Sequence, residues 1–295
     1  MKNSSTTHLS DSTIPMLELS KEERIHSIKS DKWIGYPRAS FIQEKLEELL
    51  AHPRTIRMPN MLIVGETNNG KTLLVNRFYN KHKPHIQEEE DKLYAKVLYV
   101  QAPVKPDEGR FYNSLLDVLF IPYRFSDRVE KKQYQVISVM KRIEVKVLII
   151  DEIHHILTGN MTAQRTFLNM LKYLSNEVQF SIVGVGVPDA FNVINSDPQL
   201  ANRFEPCRLP KWELNEEYLR LLASFEYLLP LKNPSGLTET SMATKILSMS
   251  EGTIGEIATV VKKTAVMAIQ NGTECITKKS LDSISYKSPS DRKRG

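Results

Sequence analysis

Cysteine is scarce in this chain, which has 295 residues but only Cys207 and Cys275. Two thiols so far apart fit neither a zinc spacing nor a disulfide framework, so a reducing cytoplasm is the expected location. Long apolar runs are missing too. No stretch approaches the roughly 18 apolar residues of a membrane span, and no membrane partner is expected. Met1 to Ser12 is polar and lacks the apolar core of a secretory leader. Nor does one sign of charge dominate: 40 basic residues interleave with 35 acidic ones, leaving a net +5. That excess leans only weakly towards a polyanionic partner. Its densest point is Asp291-Arg292-Lys293-Arg294, in a tail of the kind that usually stays free of the fold. What remains, 41% apolar and 25% charged, suits one large globular domain or two modest ones.

Against this ordinary background stands Gly65-Glu66-Thr67-Asn68-Asn69-Gly70-Lys71-Thr72. It satisfies G-x-x-x-x-G-K-[ST], follows the apolar run Met61-Leu62-Ile63-Val64, and opens a helix-like segment from Leu73 to Lys81. Gly65 and Gly70 let backbone N–H groups turn inwards around an anion, with the helix N-terminus behind them. Lys71 is placed to reach β- and γ-phosphates, and the Thr72 hydroxyl to ligate Mg²⁺. Nucleoside triphosphate binding is the reading.

The next element is Val147-Leu148-Ile149-Ile150-Asp151-Glu152. An apolar run without alternation suits a strand buried on both faces of a parallel sheet. Asp151 at its tip suits Mg²⁺, and Glu152 can orient and deprotonate an attacking water. A guanine-reading Asn-Lys-x-Asp is not seen: Asn80-Lys81 is followed by Lys83 where Asp is needed. ATP is therefore favoured over GTP, and nothing marks the acceptor pocket of a small-molecule kinase. His154 and His155 come next. Neighbouring helical histidines point apart and no third ligand has matching spacing, so a zinc site is not expected. Arg203, in Asn202-Arg203-Phe204 beyond the fourth strand, stands where oligomeric ATPases place a finger aimed at a neighbour's nucleotide.

Further strands are expected at Lys96 to Val100, Ser181 to Val187 and Cys207 to Leu209, with helices from Arg110 to Leu119, Arg128 to Arg142, Thr162 to Leu174 and Pro188 to Ile194. Ser20 to Ile28 reads as a short helix, and Ser40 as the cap of another through Leu50. Alternating strands and helices imply a doubly wound parallel sheet, an α/β fold. After Trp212 the strands stop and helices follow: Glu216 to Leu229, Thr238 to Met249, Gly255 to Asn271 and Thr277 to Ser285. The expected domains are an N-terminal extension over 1–30, an α/β nucleotide-binding domain over 31–212, a helical lid over 213–286 and a basic tail over 287–295.

Together these residues resemble the AAA+ transposition ATPases of the TniB and TnsC group. The likeness runs from Asp31-Lys-Trp-Ile-Gly-Tyr-Pro-Arg38 and Arg57-Met-Pro-Asn60 through the phosphate loop to Ile149-Ile-Asp-Glu-Ile-His154. It continues through Val183-Gly-Val-Gly186, Gln199-Leu-Ala-Asn-Arg-Phe204 and Leu209-Pro-Lys-Trp212. The resemblance implies an AAA+ core with a helical lid and an ATP-dependent regulator rather than a DNA-cutting enzyme. Such proteins assemble on double-stranded DNA as homo-oligomeric rings or filaments and link a TniQ-like target selector to a DDE-type transposase, which stimulates hydrolysis and disassembly. By position, the loop from Gly65 to Leu73 holds ATP, Lys71 and Thr72 hold phosphate and Mg²⁺, Asp151 and Glu152 handle metal and water, and Arg203 acts in trans. DNA backbone contacts of the family fall after the second strand, where this chain offers Lys105, Arg110, Arg124, Lys131 and Lys132.

Two positions depart from the wider AAA+ pattern. The polar sensor at the end of the fourth strand falls near Gly186-Val187, and the lid arginine position after Gly252-Thr-Ile holds Gly255. The expectation is slow intrinsic hydrolysis, with ATP mainly an assembly signal. Two other readings stay open: a replication-initiator or helicase-loader ATPase, and a signalling or scaffold ATPase with no DNA role.

Overall fold

The computed structural model describes residues 7–87 and 92–294. Residues 1–6 of the expected extension and Gly295 of the expected tail lie outside the described residues. Two compact units form, Arg38–Leu209 and a discontinuous one made of Met1–Pro37 together with Pro210–Gly295.

The discontinuous unit begins with a 3-10 turn over Ile14–Glu18 and helix α1, Lys21–Lys29. Ser20 and Glu23 form a reciprocal capping box, the Glu23 N–H donating to Ser20 Oγ (3.2 Å) and the Ser20 N–H to Glu23 Oε2 (2.9 Å).

In the Arg38–Leu209 unit, α2 spans Pro37–Ala51. Pro37 holds its first position, where a fixed φ costs nothing, so Ser40 lies inside the helix instead of capping it. There follow β1 (Asn60–Gly65), α3 (Lys71–Lys81), the hairpin β2–β3 (His85–Gln87, Lys92–Tyr94) and β4 (Val97–Gln101). Next come α4 (Glu108–Val118), α5 (Val129–Arg142) and β5 (Val147–Asp151), then a 3-10 turn over Ile153–Thr158 and α6 (Met161–Val178). β6 (Ser181–Gly186), α7 (Ala190–Asn195), α8 (Pro198–Ala201) and β7 (Phe204–Leu209) complete it. Strands of three residues carry too little alternation to be read from sequence, which is why the hairpin was not expected.

Five strands form one parallel sheet in the order β4-β5-β6-β1-β7. Every residue of β1, β5 and β6 is buried, as central strands covered on both faces must be. Edge strand β7 is instead exposed at Glu205, Pro206 and Arg208 and buries Phe204, Cys207 and Leu209. Leu62, Leu148, Ile150 and Ile182 of the sheet share one core with Phe111, Leu115, Val136, Met140, Phe167 and Leu171 of the helices.

The rest of the discontinuous unit is helical: α9 (Glu216–Leu228), α10 (Thr240–Ser250), α11 (Ile254–Asn271), α12 (Lys278–Ser283) and α13 (Pro289–Arg294). The N-terminal segment is part of this unit, not a separate extension. Ile28 enters the core formed by Tyr218, Leu222, Ile246, Ile257 and Val261. Arg24, 2% exposed, pairs with Glu274 and donates from Nε to Pro230 O at 3.0 Å. The tail is not free either. Arg292 bridges to Glu256 at 2.6 Å, and the Ser290 N–H donates to Glu251 Oε1 at 2.7 Å.

Candidate active site

At the carboxyl end of β1 the chain turns twice through left-handed backbone, at Asn68 (φ 60°) and Gly70 (φ 79°), before α3 begins. Glycine and asparagine are the residues that enter this region at least cost. A Cβ on Gly65 would lie 3.0 Å from Leu209 Cβ and 3.1 Å from Leu209 O, so edge strand β7 is what forbids a side chain there. Asn69 reaches the same carbonyl, Nδ2 donating to Leu209 O at 2.9 Å, and thereby ties the loop to β7. Lys71 is 7% exposed and its Nζ donates to Gly65 O and Glu66 O, both at 2.8 Å. Burial pulls the Lys71 ammonium below its usual range, opposed by the charges of Glu152, Asp151 and Glu66.

Two strands away, β5 delivers Asp151 to the same edge of the sheet, the carboxyl edge where open α/β folds bind ligands. Thr72 Oγ1 donates to Asp151 Oδ2 at 2.9 Å, and Tyr99 Oη to the same oxygen at 2.8 Å. Asp151 Oδ1 accepts the Glu152 N–H at 2.8 Å. Burial and this bond to Asp151 push the Tyr99 phenol upwards, so it stays a donor. Thr72 and Asp151 thus present a hydroxyl and a carboxylate in direct contact. Hard oxygen donors of this kind suit Mg²⁺, which takes few protein ligands and leaves room for phosphate and water. Tyr99 was not anticipated; one tyrosine in a mostly apolar strand carries no signal of its role.

Glu152 leaves the strand in left-handed backbone (φ 54°) and starts the 3-10 turn. The expectation for the histidines is corrected here. His154 Nδ1 lies 3.2 Å from Glu152 Oε2, and the His154 and His155 ring centroids are 4.9 Å apart. The three side chains converge, with one donor atom of each within 4.8 Å of the others. Burial lowers the His154 pKa, while the Glu152 carboxylate raises it.

Arg203 is not brought to this site. It precedes β7, whose register pairs Phe204 with Asn60 and Leu209 with Gly65. Arg203 therefore sits at the amino end of the sheet, roughly 20 Å of strand from the phosphate loop. There its Nη1 donates to Asn176 Oδ1 at 3.0 Å. Among the basic residues proposed for DNA, Lys105, Arg110, Arg124 and Lys131 are exposed. Arg110 lies 3.8 Å from Asp107, and Lys131 pairs with Asp127 at 2.8 Å. Lys132 is withdrawn from the set. It is 3% exposed, and its Nζ donates to Phe125 O at 3.1 Å, clasping the α4–α5 turn from within.

Among the described residues no helix is long and apolar enough to cross a membrane. Comparison with curated proteins gave no match. Solved structures share the fold. The Aeropyrum pernix ORC2 protein (ADPNP-ADP complexes) matches with a TM-score of 0.60 at 15% identity, over 86% of this chain and 69% of that one. Pyrobaculum aerophilum Cdc6p gives 0.60 at 15%, over 86% and 68%. The Aeropyrum pernix ORC1 protein in complex with DNA gives 0.60 at 16%, over 88% and 68%. At such identities the likeness speaks for the fold alone. The model of the family described as "Bacterial TniB protein" matches residues 24–214, most of the chain and the whole of the phosphate loop, Asp151-Glu152 and Arg203 set, and the chain belongs to that TniB family.

Proposed function

We propose that this protein is an ATP-dependent regulator of DNA transposition that assembles as a homo-oligomer or filament on double-stranded DNA in the cytoplasm. In this reading it links a TniQ-like target selector to a DDE-type transposase, and hydrolysis drives disassembly. The observation that carries the reading is the meeting of Thr72 with Asp151, beside Lys71 and Glu152, in a chain of the TniB family.

Residues Gly65 to Leu73 cradle the ATP phosphates with backbone N–H groups, and Lys71 supplies the cation. Thr72 and Asp151 hold Mg²⁺, which when bound neutralises phosphate charge. Glu152 orients the water and accepts its proton. Arg203, at the far end of its own sheet, serves a neighbour's nucleotide; that placement supports action in trans and hence an oligomer. Such a finger contributes about 10³ to 10⁵ in rate. Gly186 and Gly255, at the two sensor positions of the sequence pattern, have no side chain to donate, which favours slow turnover until a partner intervenes.

Lys105, Arg110, Arg124 and Lys131 are the proposed contacts to DNA phosphates, independent of base sequence and weakened by salt. The solved ORC1 structure of similar fold is described as bound to DNA, which lends support. That likeness also favours the second reading, a replication-initiator or helicase-loader ATPase. A scaffold ATPase without DNA is the third.

Negative-stain microscopy with duplex DNA and a slowly hydrolysed ATP analogue separates them. Nucleotide-dependent rings or filaments on DNA are expected. Protein that neither assembles nor shifts DNA when ATP-bound overturns the reading. Assembly confined to origin-like DNA or to a helicase partner selects the second.

A further inference from the structure

Glu152 has neighbours that ATP hydrolysis does not use. Its carboxylate and one ring nitrogen each from His154 and His155 lie within 4.8 Å of one another, and all three residues are half-buried. His154 Nδ1, though shielded from solvent and 3.2 Å from Glu152 Oε2, makes no hydrogen bond among the described residues. His155 Nδ1 faces Ala102 O at 3.5 Å, the kind of backbone carbonyl that orients a ligating imidazole. Space for the His154 ring depends on Gly186, where a Cβ would lie 3.2 Å from His154 Nδ1.

We propose that Glu152, His154 and His155 form a binding site for one transition-metal dication of the Zn²⁺ type, and that occupancy withdraws Glu152 from water activation. Two imidazoles and a carboxylate are a donor set that such ions take, whereas Mg²⁺ prefers oxygen alone. Mg²⁺ is thereby directed to Thr72 and Asp151, and the softer ion to the histidines. Ligand bonds of about 2.1 Å in a tetrahedral shell place donors about 3.4 Å apart, so a pair at the 4.8 Å limit has to close by about 1.4 Å. A carboxylate bound to a dication is a poor base. The site then acts as a brake: nucleotide stays bound and turnover stops. The inhibitory consequence rests on the proposed role of Glu152; the binding does not.

Co²⁺ is the probe, titrated into full-length protein in Mg²⁺ buffer without ATP or DNA. One equivalent with visible d–d absorption, displaced by Zn²⁺, is expected. His154→Asn and His155→Asn should each weaken it by at least about tenfold, and Lys141→Ala, in an exposed ion pair with Glu177, should leave it unchanged. Absence of the bands, or bands unchanged in both histidine variants, overturns the site. A measurement on the wild type guards against misfolded variants: Zn²⁺ should protect His154 and His155 from diethylpyrocarbonate, mapped by mass spectrometry. Unprotected histidines overturn the site as well. Zn²⁺ should also lower the ATPase rate at constant Mg²⁺, and metal binding with an unaltered rate overturns the brake. Because binding is read without nucleotide or DNA, its failure is distinct from failure of the transposition reading.

Discussion

Thr72 and Asp151, 79 residues apart in sequence, meet through a 2.9 Å hydrogen bond at the carboxyl edge of the sheet. One belongs to the first turn of α3 and the other to the tip of β5, so the bond reports that the loop and the acidic strand are assembled in register. Lys71 stands beside them with its charge directed into the loop. Lys71→Ala should therefore lower nucleotide affinity by well over tenfold and abolish nucleotide-dependent assembly. Titration calorimetry with ATP and microscopy on DNA check the two outcomes.

Glu152→Gln keeps the shape of the side chain and removes the base. Nucleotide binding and assembly should survive while hydrolysis falls by about 10² to 10⁴. Phosphate release in single turnover measures the loss. Equal losses of ATP affinity and rate would count against the assignment.

Arg203→Ala should leave nucleotide affinity within twofold of the wild type and cut the rate by about 10³. Mixing is the sharper measurement. Arg203→Ala subunits have intact loops, and Glu152→Gln subunits have intact arginines, so the mixture should recover activity that neither variant shows alone. No recovery at any ratio would place Arg203 outside the interface.

Arg24 and Glu274 make a buried pair in the helical unit. Burial pushes the Glu274 carboxyl up, but hydrogen bonds and charge from Arg24 outweigh it and hold the pKa below the usual 4.5. The folded state thus releases this proton more readily than the unfolded chain. Its stabilisation is full above the unfolded value and fades as pH drops through the folded one. Glu274→Gln should flatten that acid limb and cost about 3 kcal/mol at neutral pH, because Arg24 stays buried without its partner. Urea melts across the acid range measure both effects.

The sequence made the chemistry at the sheet edge visible because that chemistry is local. A phosphate loop is eight consecutive residues, and Asp151-Glu152 ends an unbroken apolar run; both are patterns of adjacency. β1, β5 and β6 followed from the same buried runs. What stayed hidden depends on residues distant in sequence. Asn69 reaches Leu209, Tyr99 reaches Asp151, and Arg24 reaches Glu274, and none has a spacing that could announce it. Lys132 reads as one more surface cation until α5 turns it inwards. The histidines were misjudged because spacing along the chain does not show that Glu152, His154 and His155 bring their donor atoms together.

The discontinuous unit also sets an order of manufacture. Ribosomes deliver α1 first, then the whole of Arg38–Leu209, and only afterwards the helices that bury Ile28 and the carboxylate that meets Arg24. The loop-bearing unit emerges as one continuous piece. α1 must meanwhile keep an isoleucine and an unpaired guanidinium in water until residue 274 appears. Newborn chains therefore pass through an interval in which the sheet can be finished and its helical companion cannot.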